Sequence, residues 1–319
     1  MKLSVVVPTL NGRDRLAASL DSLAERAPDA EVVVVNGPSA DGTTGMVRER
    51  DDVDVLVELS DRTINVARNA GIEAASGDAV AFLGDDLAVE DGWTDALEAG
   101  LAEADVVTGP THRTLTGGMT TDEPESRTIS GREVTYFTGG NVAFRERTLR
   151  ELDGFDEYLE TGGARDAAHR LAGMDATVQW SRELCARREA EADGGHEPPD
   201  SPAHAAGATG TNGDGDGRDW GWKYRALAYR LTKNYGVRPT VVRRVLSHAA
   251  SDAATTAREV VGGDATPTAW LGTGRDVTAG IATGASDGLV ARARDRSPTR
   301  NPHGVSKRAD RAVARYDWR

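Results

Sequence analysis

Short apolar runs rich in valine, at residues 3–7, 31–35, 53–59, 79–83 and 105–108, alternate along the first third of the chain with segments of helical spacing. Strands separated by crossover helices are the pattern of a parallel sheet, so the fold class read here is α/β, with a Rossmann-like first domain. Between the first two runs Leu16, Leu20 and Leu23 fall on one helical face and offer an apolar stripe to cover the sheet. The 319 residues leave room for one large domain with a sizeable core and an appended module.

That module announces itself by charge. Residues 220–319 hold 18 of the 38 cations and 8 of the 51 acids, a net of +10, against −23 for residues 1–219. Between them, residues 186–219 are too poor in large apolar side chains to offset their ordering entropy, and a disordered linker is expected there, with His196 and His204 solvated. The division read from the sequence is therefore 1–185, 186–219 and 220–319. Residues 111–137 lose the strand–helix rhythm and read as a loop or hairpin excursion. In the basic module Tyr224, Leu227, Leu231 and Tyr235 share one helical stripe among Lys223, Arg225, Arg230 and Lys233. Such a helix either lies in a membrane interface with its cations toward anionic headgroups or packs as ordinary core. No nucleic-acid-binding motif accompanies the basic charge, so an anionic membrane is the preferred partner and nucleic acid is not expected.

Only four cations are lysines: Lys2, Lys223, Lys233 and Lys307. An acidic, lysine-poor composition keeps a protein dispersed in molar salt, although a high-GC genome also favours arginine over lysine. The single cysteine, Cys185, excludes an intramolecular disulfide, and no Cys–His spacing fits zinc. With no window near the ~20 apolar residues of a membrane span, the expected location is cytoplasmic, at most peripheral at the inner face of the cell membrane.

Chemistry is expected where strands end, because open α/β sheets place their crevice at the carboxyl ends of the strands. The first run ends in Pro8-Thr9-Leu10-Asn11-Gly12-Arg13 and the second in Asn36, followed by a polar turn in which Asp41 reads as a helix cap. The fourth runs into Gly84-Asp85-Asp86. Two adjacent carboxylates after a buried strand are costly unless a cation joins them, and Mg²⁺ or Mn²⁺ completed by phosphate oxygens is the usual arrangement for diphosphate substrates. The alternative is an acidic pair favoured by a helix dipole.

The blocks SVVVPTLNGRDRL, VVVVNGPSADGT, ARNAGIEAASGDAVAFLGDD and FTGGNVAFRERTLRELDGFDE, in that order over about residues 1–180, resemble the family 2 glycosyltransferases, in a haloarchaeal-type member. The resemblance implies a GT-A fold and transfer of a sugar from a nucleoside diphosphate donor to a saccharide or lipid-linked acceptor, inverting and metal-dependent. It implies that Pro8, Thr9 and Asn11 line the nucleobase pocket, that Arg68 approaches the nucleotide, that Asp86 holds the metal and that Asp85 stands between metal and ribose. Gly139, Gly140 and Asn141 would form the floor under the transferred sugar. Two positions depart from the family: Asn36 and Gly84 stand where acids are usual, and Asn36 offers both a donor and an acceptor to the base and ribose. Where the family shows an acidic pair before a helix with an arginine, this chain keeps one acid, Asp166. Asp166 is the expected base, with His169 on the same helical face as its rival. A nucleotidyltransferase or a non-catalytic sugar-nucleotide-binding protein is the alternative.

Overall fold

The computed structural model describes residues 1–113, 125–188, 220–262 and 267–319, so the expected linker lies almost wholly outside the described residues, as do His196 and His204. The strands are β1 (Leu3–Thr9), β2 (Glu31–Asn36), β3 (Val55–Leu59), β4 (Ala79–Leu83), β5 (Leu87–Val89), β6 (Val106–Thr108), β7 (Thr111–Arg113), β8 (Ser126–Ile129), β9 (Arg132–Thr135), β10 (Asn141–Arg145), β11 (Val178–Trp180), β12 (Ala186–Arg188) and β13 (Ala312–Asp317). The helices are α1 (Arg13–Arg26), α2 (Thr43–Arg48), α3 (Ile64–Ala74), α4 (Trp93–Glu103), α5 (Glu146–Glu151), α6 (Gly163–Leu171), α7 (Trp220–Tyr235), α8 (Pro239–Gly262) and α9 (Pro267–Arg294). They form two compact units: Met1–Arg127, Val134–Gly195 and His303–Arg319 in one, Thr128–Glu133 and His196–Pro302 in the other.

The first unit is built on an eight-stranded sheet of order β11-β6-β10-β4-β1-β2-β3-β13. β1 to β4 run parallel as expected, while β10 enters antiparallel between β4 and β6. Both faces are covered, and the strand alternation divides the core accordingly. Val5, Val7, Val32 and Val34 point to the layer of Leu16, Leu20, Leu23, Trp93 and Leu97 from α1 and α4. Val6, Val33 and Val35 point to the layer of Val66 and Ala70 from α3 and Ala167 and Leu171 from α6. The third strand begins two residues later than its apolar run, since the Asp54 carboxylate accepts the backbone N–H of Val32 at 2.7 Å. β5, β12 and β7 make a small second sheet, and β8 and β9 pair as a two-stranded hairpin within the excursion.

The last residues redraw the expected 220–319 module. β13 pairs antiparallel with β3, from Ala312 opposite Leu59 to Asp317 opposite Val55. Arg311, fully buried, pairs with Glu73 at 2.7 Å and Glu157 at 2.5 Å and donates to the Gly304 carbonyl. Arg319 reaches Glu31 at 2.7 Å. Residues 303–319, with five cations and two acids, thus belong to the first unit, and residues 220–302 keep 13 cations against 6 acids.

In the second unit the expected stripe on α7 is core: Tyr224, Leu231 and Tyr235 are buried, and the latter two cluster with Ile129, Val241 and Val245. α7 packs on α9 through glycine. A Cβ added at Gly280 or Gly284 would overlap the carbonyl oxygens of Gly221 or Arg225, and one at Gly288 would lie 2.7 Å from that of Tyr229. Glycine at every fourth position removes side chains from one face of α9 and lets the two backbones approach.

Candidate active site

The turns after β1 and β2 are tied together by side chains. Asn11 adopts a positive φ of 52°, a conformation asparagine tolerates better than most residues. Its N–H donates to Ser39 Oγ at 2.8 Å and its Oδ1 accepts from the Ala40 N–H at 2.8 Å. Ser39 in turn donates to Asn36 Oδ1 at 2.6 Å, and Asn36 Nδ2 donates to Thr44 Oγ1 at 2.8 Å. Asn36 is buried, and both ends of its amide organise the turn instead of facing a ligand as expected. Asp41 accepts from the backbone N–H groups of Arg13 and Thr43, so it serves the start of α2 and joins the two turns. Pro8 and Thr9 stand opposite Val35 and Asn36 in the β1–β2 register.

Thr9 links these turns to the end of β4. Its hydroxyl donates to Asp85 Oδ2 at 2.7 Å, and Arg15 approaches the same oxygen at 3.5 Å. Burial pushes the Asp85 carboxyl up to about 6, against the opposing pull of Arg15 and Thr9. Gly12 leaves the space this carboxylate occupies, since a Cβ there would overlap Asp85 Oδ2 and lie 2.8 Å from Thr9 Oγ1. Asp86 meets Arg188, whose Nε lies 2.6 Å from its Oδ2, while its Oδ1 is buried with no hydrogen-bond partner among the described residues. A Cβ at Gly84 would lie 2.9 Å from that same Oδ1.

The floor segment reaches the same place. Gly84 N donates to the Gly140 carbonyl at 3.0 Å, and Gly140 sits against Leu87 and Gly84. Gly139 is required by Arg68, whose guanidinium fills the space a Cβ would take. Arg68 is buried, donates to Asn65 Oδ1 at 3.2 Å and lies 5.2 Å from the Phe155 ring centroid, so it braces this floor from within. Asn141 is a core residue: its amide donates to the carbonyls of Pro110 and Leu184 and accepts from Trp93 Nε1. The structure therefore brings Thr9, Asn11, Asp85, Asp86, Gly139 and Gly140 to the carboxyl end of the sheet, with Asn36, Arg68 and Asn141 behind them. Gly12, Arg15 and Arg188 were not singled out from the sequence. Gly12 and Arg15 lie in the first motif and were readable by position, whereas Arg188 is delivered only by the β5–β12 pairing, where it stands opposite Leu87.

The expected base lies in the core. Asp166 is 0% exposed, and its Oδ2 accepts from Arg170 Nε at 2.7 Å. Arg170 also donates to the carbonyls of Leu152 and Gly154, so the pair pins α6 to the segment after α5. His169 is equally buried and packs edge-on against Tyr136 at 5.5 Å between centroids. Both side chains are buried, and the Asp166 carboxylate is engaged by Arg170.

Residues 4–152 match the family described as glycosyl transferase family 2. The match covers 149 of the 319 residues. The matched segment contains β1 to β10 and the whole crevice except Arg188, while α6 and the returning C-terminal strand lie beyond it. Among curated proteins the chain is similar to glycosyltransferase AglE of Haloferax volcanii, 28% identical over 196 residues, which cover 53% of this chain and 63% of that protein. It is also similar to the pre-mycofactocin glycosyltransferase of Mycobacterium tuberculosis, 26% identical over 201 residues covering 56% of this chain and 40% of that one. The chain thus spans less than two thirds of the length of these relatives. Solved structures agree on the fold. Residues 1–349 of Staphylococcus aureus TarS in complex with UDP-GlcNAc align with a TM-score of 0.57 at 18% identity, over 94% of this chain and 90% of that one. The mannosyltransferase PcManGT of Pyrobaculum calidifontis, in complex with GDP-Man and Mn²⁺, gives 0.52 at 18% identity over 93% and 88%. The fold is α/β of the GT-A kind with a helical C-terminal part.

Proposed function

We propose that the chain is a glycosyltransferase that moves a sugar from a nucleoside diphosphate donor to a saccharide or lipid-linked acceptor with the help of Mg²⁺ or Mn²⁺. The observation that carries this reading is the meeting of Asp85 and Asp86 with the strand-end turns and the Gly139–Gly140 floor at one end of a family 2 sheet. Among the described residues no three His, Cys, Asp or Glu side chains gather as a closed metal cage. Asp86 nevertheless presents a buried oxygen without a hydrogen-bond partner among the described residues, beside the carboxylate of Asp85, which fits an ion held by one or two carboxylates and completed by phosphate oxygens. Such an ion would neutralise charge developing on the leaving diphosphate. Thr9 and Arg15 orient Asp85, and the turn built on Asn11, Ser39 and Asn36 shapes the nucleoside end.

The test is a thermal-shift screen of nucleotide sugars with Mn²⁺, since a ligand bound only to the native state raises apparent stability. Stabilisation by one nucleotide sugar that requires Mn²⁺ and disappears in Asp86→Asn supports the reading, and stabilisation indifferent to both overturns it. Metal-dependent sugar transfer, as against binding alone, separates the enzyme from a binding protein.

Peripheral attachment to the anionic inner face of a membrane is supported by the start of α8. Val237, Val242 and Leu246 are 64%, 44% and 57% exposed, with Arg238 and Arg243 beside them. Residues 237–251 contain no acid in a chain of net charge −13. Apolar side chains flanked by arginine fit an anionic lipid interface. Among the described residues no helix is long and apolar enough to cross a membrane. Co-sedimentation with phosphatidylglycerol vesicles but not phosphatidylcholine vesicles, lost on Val242→Asp with Leu246→Asp, is the expected result. Equal sedimentation of wild type and variant rejects this surface.

A further inference from the structure

The carboxylate assigned above to the metal already has a cation on it. Arg188 Nε lies 2.6 Å from Asp86 Oδ2, and the two side chains are only 17% and 14% exposed. The contact is not a chance meeting of long surface side chains. β12 runs antiparallel to β5 with Ala186 opposite Val89 and Arg188 opposite Leu87, so backbone pairing sets the guanidinium next to the residue that precedes Leu87. The second carboxylate oxygen is buried without a hydrogen-bond partner among the described residues.

A divalent ion approaching Asp86 in the empty protein would meet this fixed positive charge at short range, in a partly desolvated place where screening by water is weak. A nucleoside diphosphate changes the balance. Its phosphate oxygens match a planar guanidinium at least as well as a carboxylate does, which lets Arg188 exchange Asp86 for the diphosphate while the ion takes Asp86. We propose that Arg188 is a positioning residue that couples the two ligands: it holds Asp86 until the donor diphosphate arrives, so that metal binds weakly alone and tightly with nucleotide. This rests on the assignment of the metal to Asp86. Because coupling free energy is reciprocal, the factor by which nucleotide strengthens metal binding equals the factor by which metal strengthens nucleotide binding.

The experiment is isothermal titration of the full chain with Mn²⁺, alone and in the presence of the nucleoside diphosphate that stabilises it most, for wild type, Arg188→Met, Arg188→Lys and Asp86→Asn. Arg188→Met should bind Mn²⁺ alone about tenfold more tightly than wild type, and the nucleotide should strengthen its Mn²⁺ binding at least about tenfold less. Arg188→Lys, which keeps the charge, should leave Mn²⁺ binding alone as weak as in wild type. Unchanged Mn²⁺ affinity and unchanged coupling in Arg188→Met overturn the proposal while leaving Asp86 as ligand. Equal Mn²⁺ binding by Asp86→Asn and wild type overturns the metal assignment and the proposal with it. Circular dichroism and unfolding midpoints close to wild type show that each variant is folded.

Discussion

A Cβ placed on Gly284 would overlap the carbonyl oxygen of Arg225, one helix laid on the backbone of another. Gly284→Ala must therefore push α9 away from α7, an overpacking worth about 1–3 kcal/mol. Gly274, on the same helix, has open space around it. Gly274→Ala should stabilise by up to about 1 kcal/mol through helix propensity alone. Thermal unfolding of the two variants checks this, and equal midpoints would mean that the glycine face does not set the helix approach.

Asp166→Asn should act on stability before chemistry. It leaves the fully buried Arg170 without its carboxylate, a loss of about 3–5 kcal/mol for a broken buried pair. Denaturant unfolding measures it. A variant as stable as wild type whose single-turnover transfer collapses would instead assign the base to Asp166.

Gly12→Ala should weaken Mn²⁺-dependent nucleotide affinity by at least about tenfold, about 1.4 kcal/mol, because the added methyl displaces Asp85 and Thr9. The backbone of Gly12, with φ −126°, is open to alanine, so the fold should survive. Titration with nucleoside diphosphate and Mn²⁺ is the measurement, and unchanged affinity would remove Asp85 from the donor site.

Glu31 gives a pH dependence with a definite sign. Burial alone would raise its carboxyl, but hydrogen bonds from Ser4, Ser76 and Arg319 outweigh that and hold it at about 2, against an ordinary 4.5. A depressed folded value means that the unfolded chain binds the proton more readily. The stabilisation, about 3 kcal/mol, is complete above pH ~4.5 and disappears as pH falls toward 2. Unfolding midpoints across that range should fall in wild type, and the slope should be shallower in Glu31→Gln. Parallel curves would show that Glu31 does not carry the acid sensitivity.

The central strands were legible because each is buried on both faces and is apolar at most positions, as in the run from Leu3 to Val7, where only Ser4 is polar. β13 was not legible for the opposite reason: only Ala314 and Tyr316 are partly buried, and its register depends on a partner about 250 residues away. The crevice was read from its strand ends, since position there follows from topology, whereas the direction of an amide or carboxylate depends on neighbours from other segments. Asn36 and Asn141 turned inward on such neighbours. For Asp166 the signal was present in the sequence, an arginine four residues on and therefore on the same helical face. The role expected of the residue concealed it.

Closing the sheet with β13 also orders events in time. During synthesis β3 emerges early, yet the strand that pairs with its outer edge is made only after the three helices of the second unit. For that interval the nascent protein carries an unpaired row of N–H and C=O groups from Val55 to Leu59, the kind of edge on which chains associate with one another. Slow translation between Arg294 and Ala312 would lengthen that interval, so yield in expression should depend on how quickly that stretch is read.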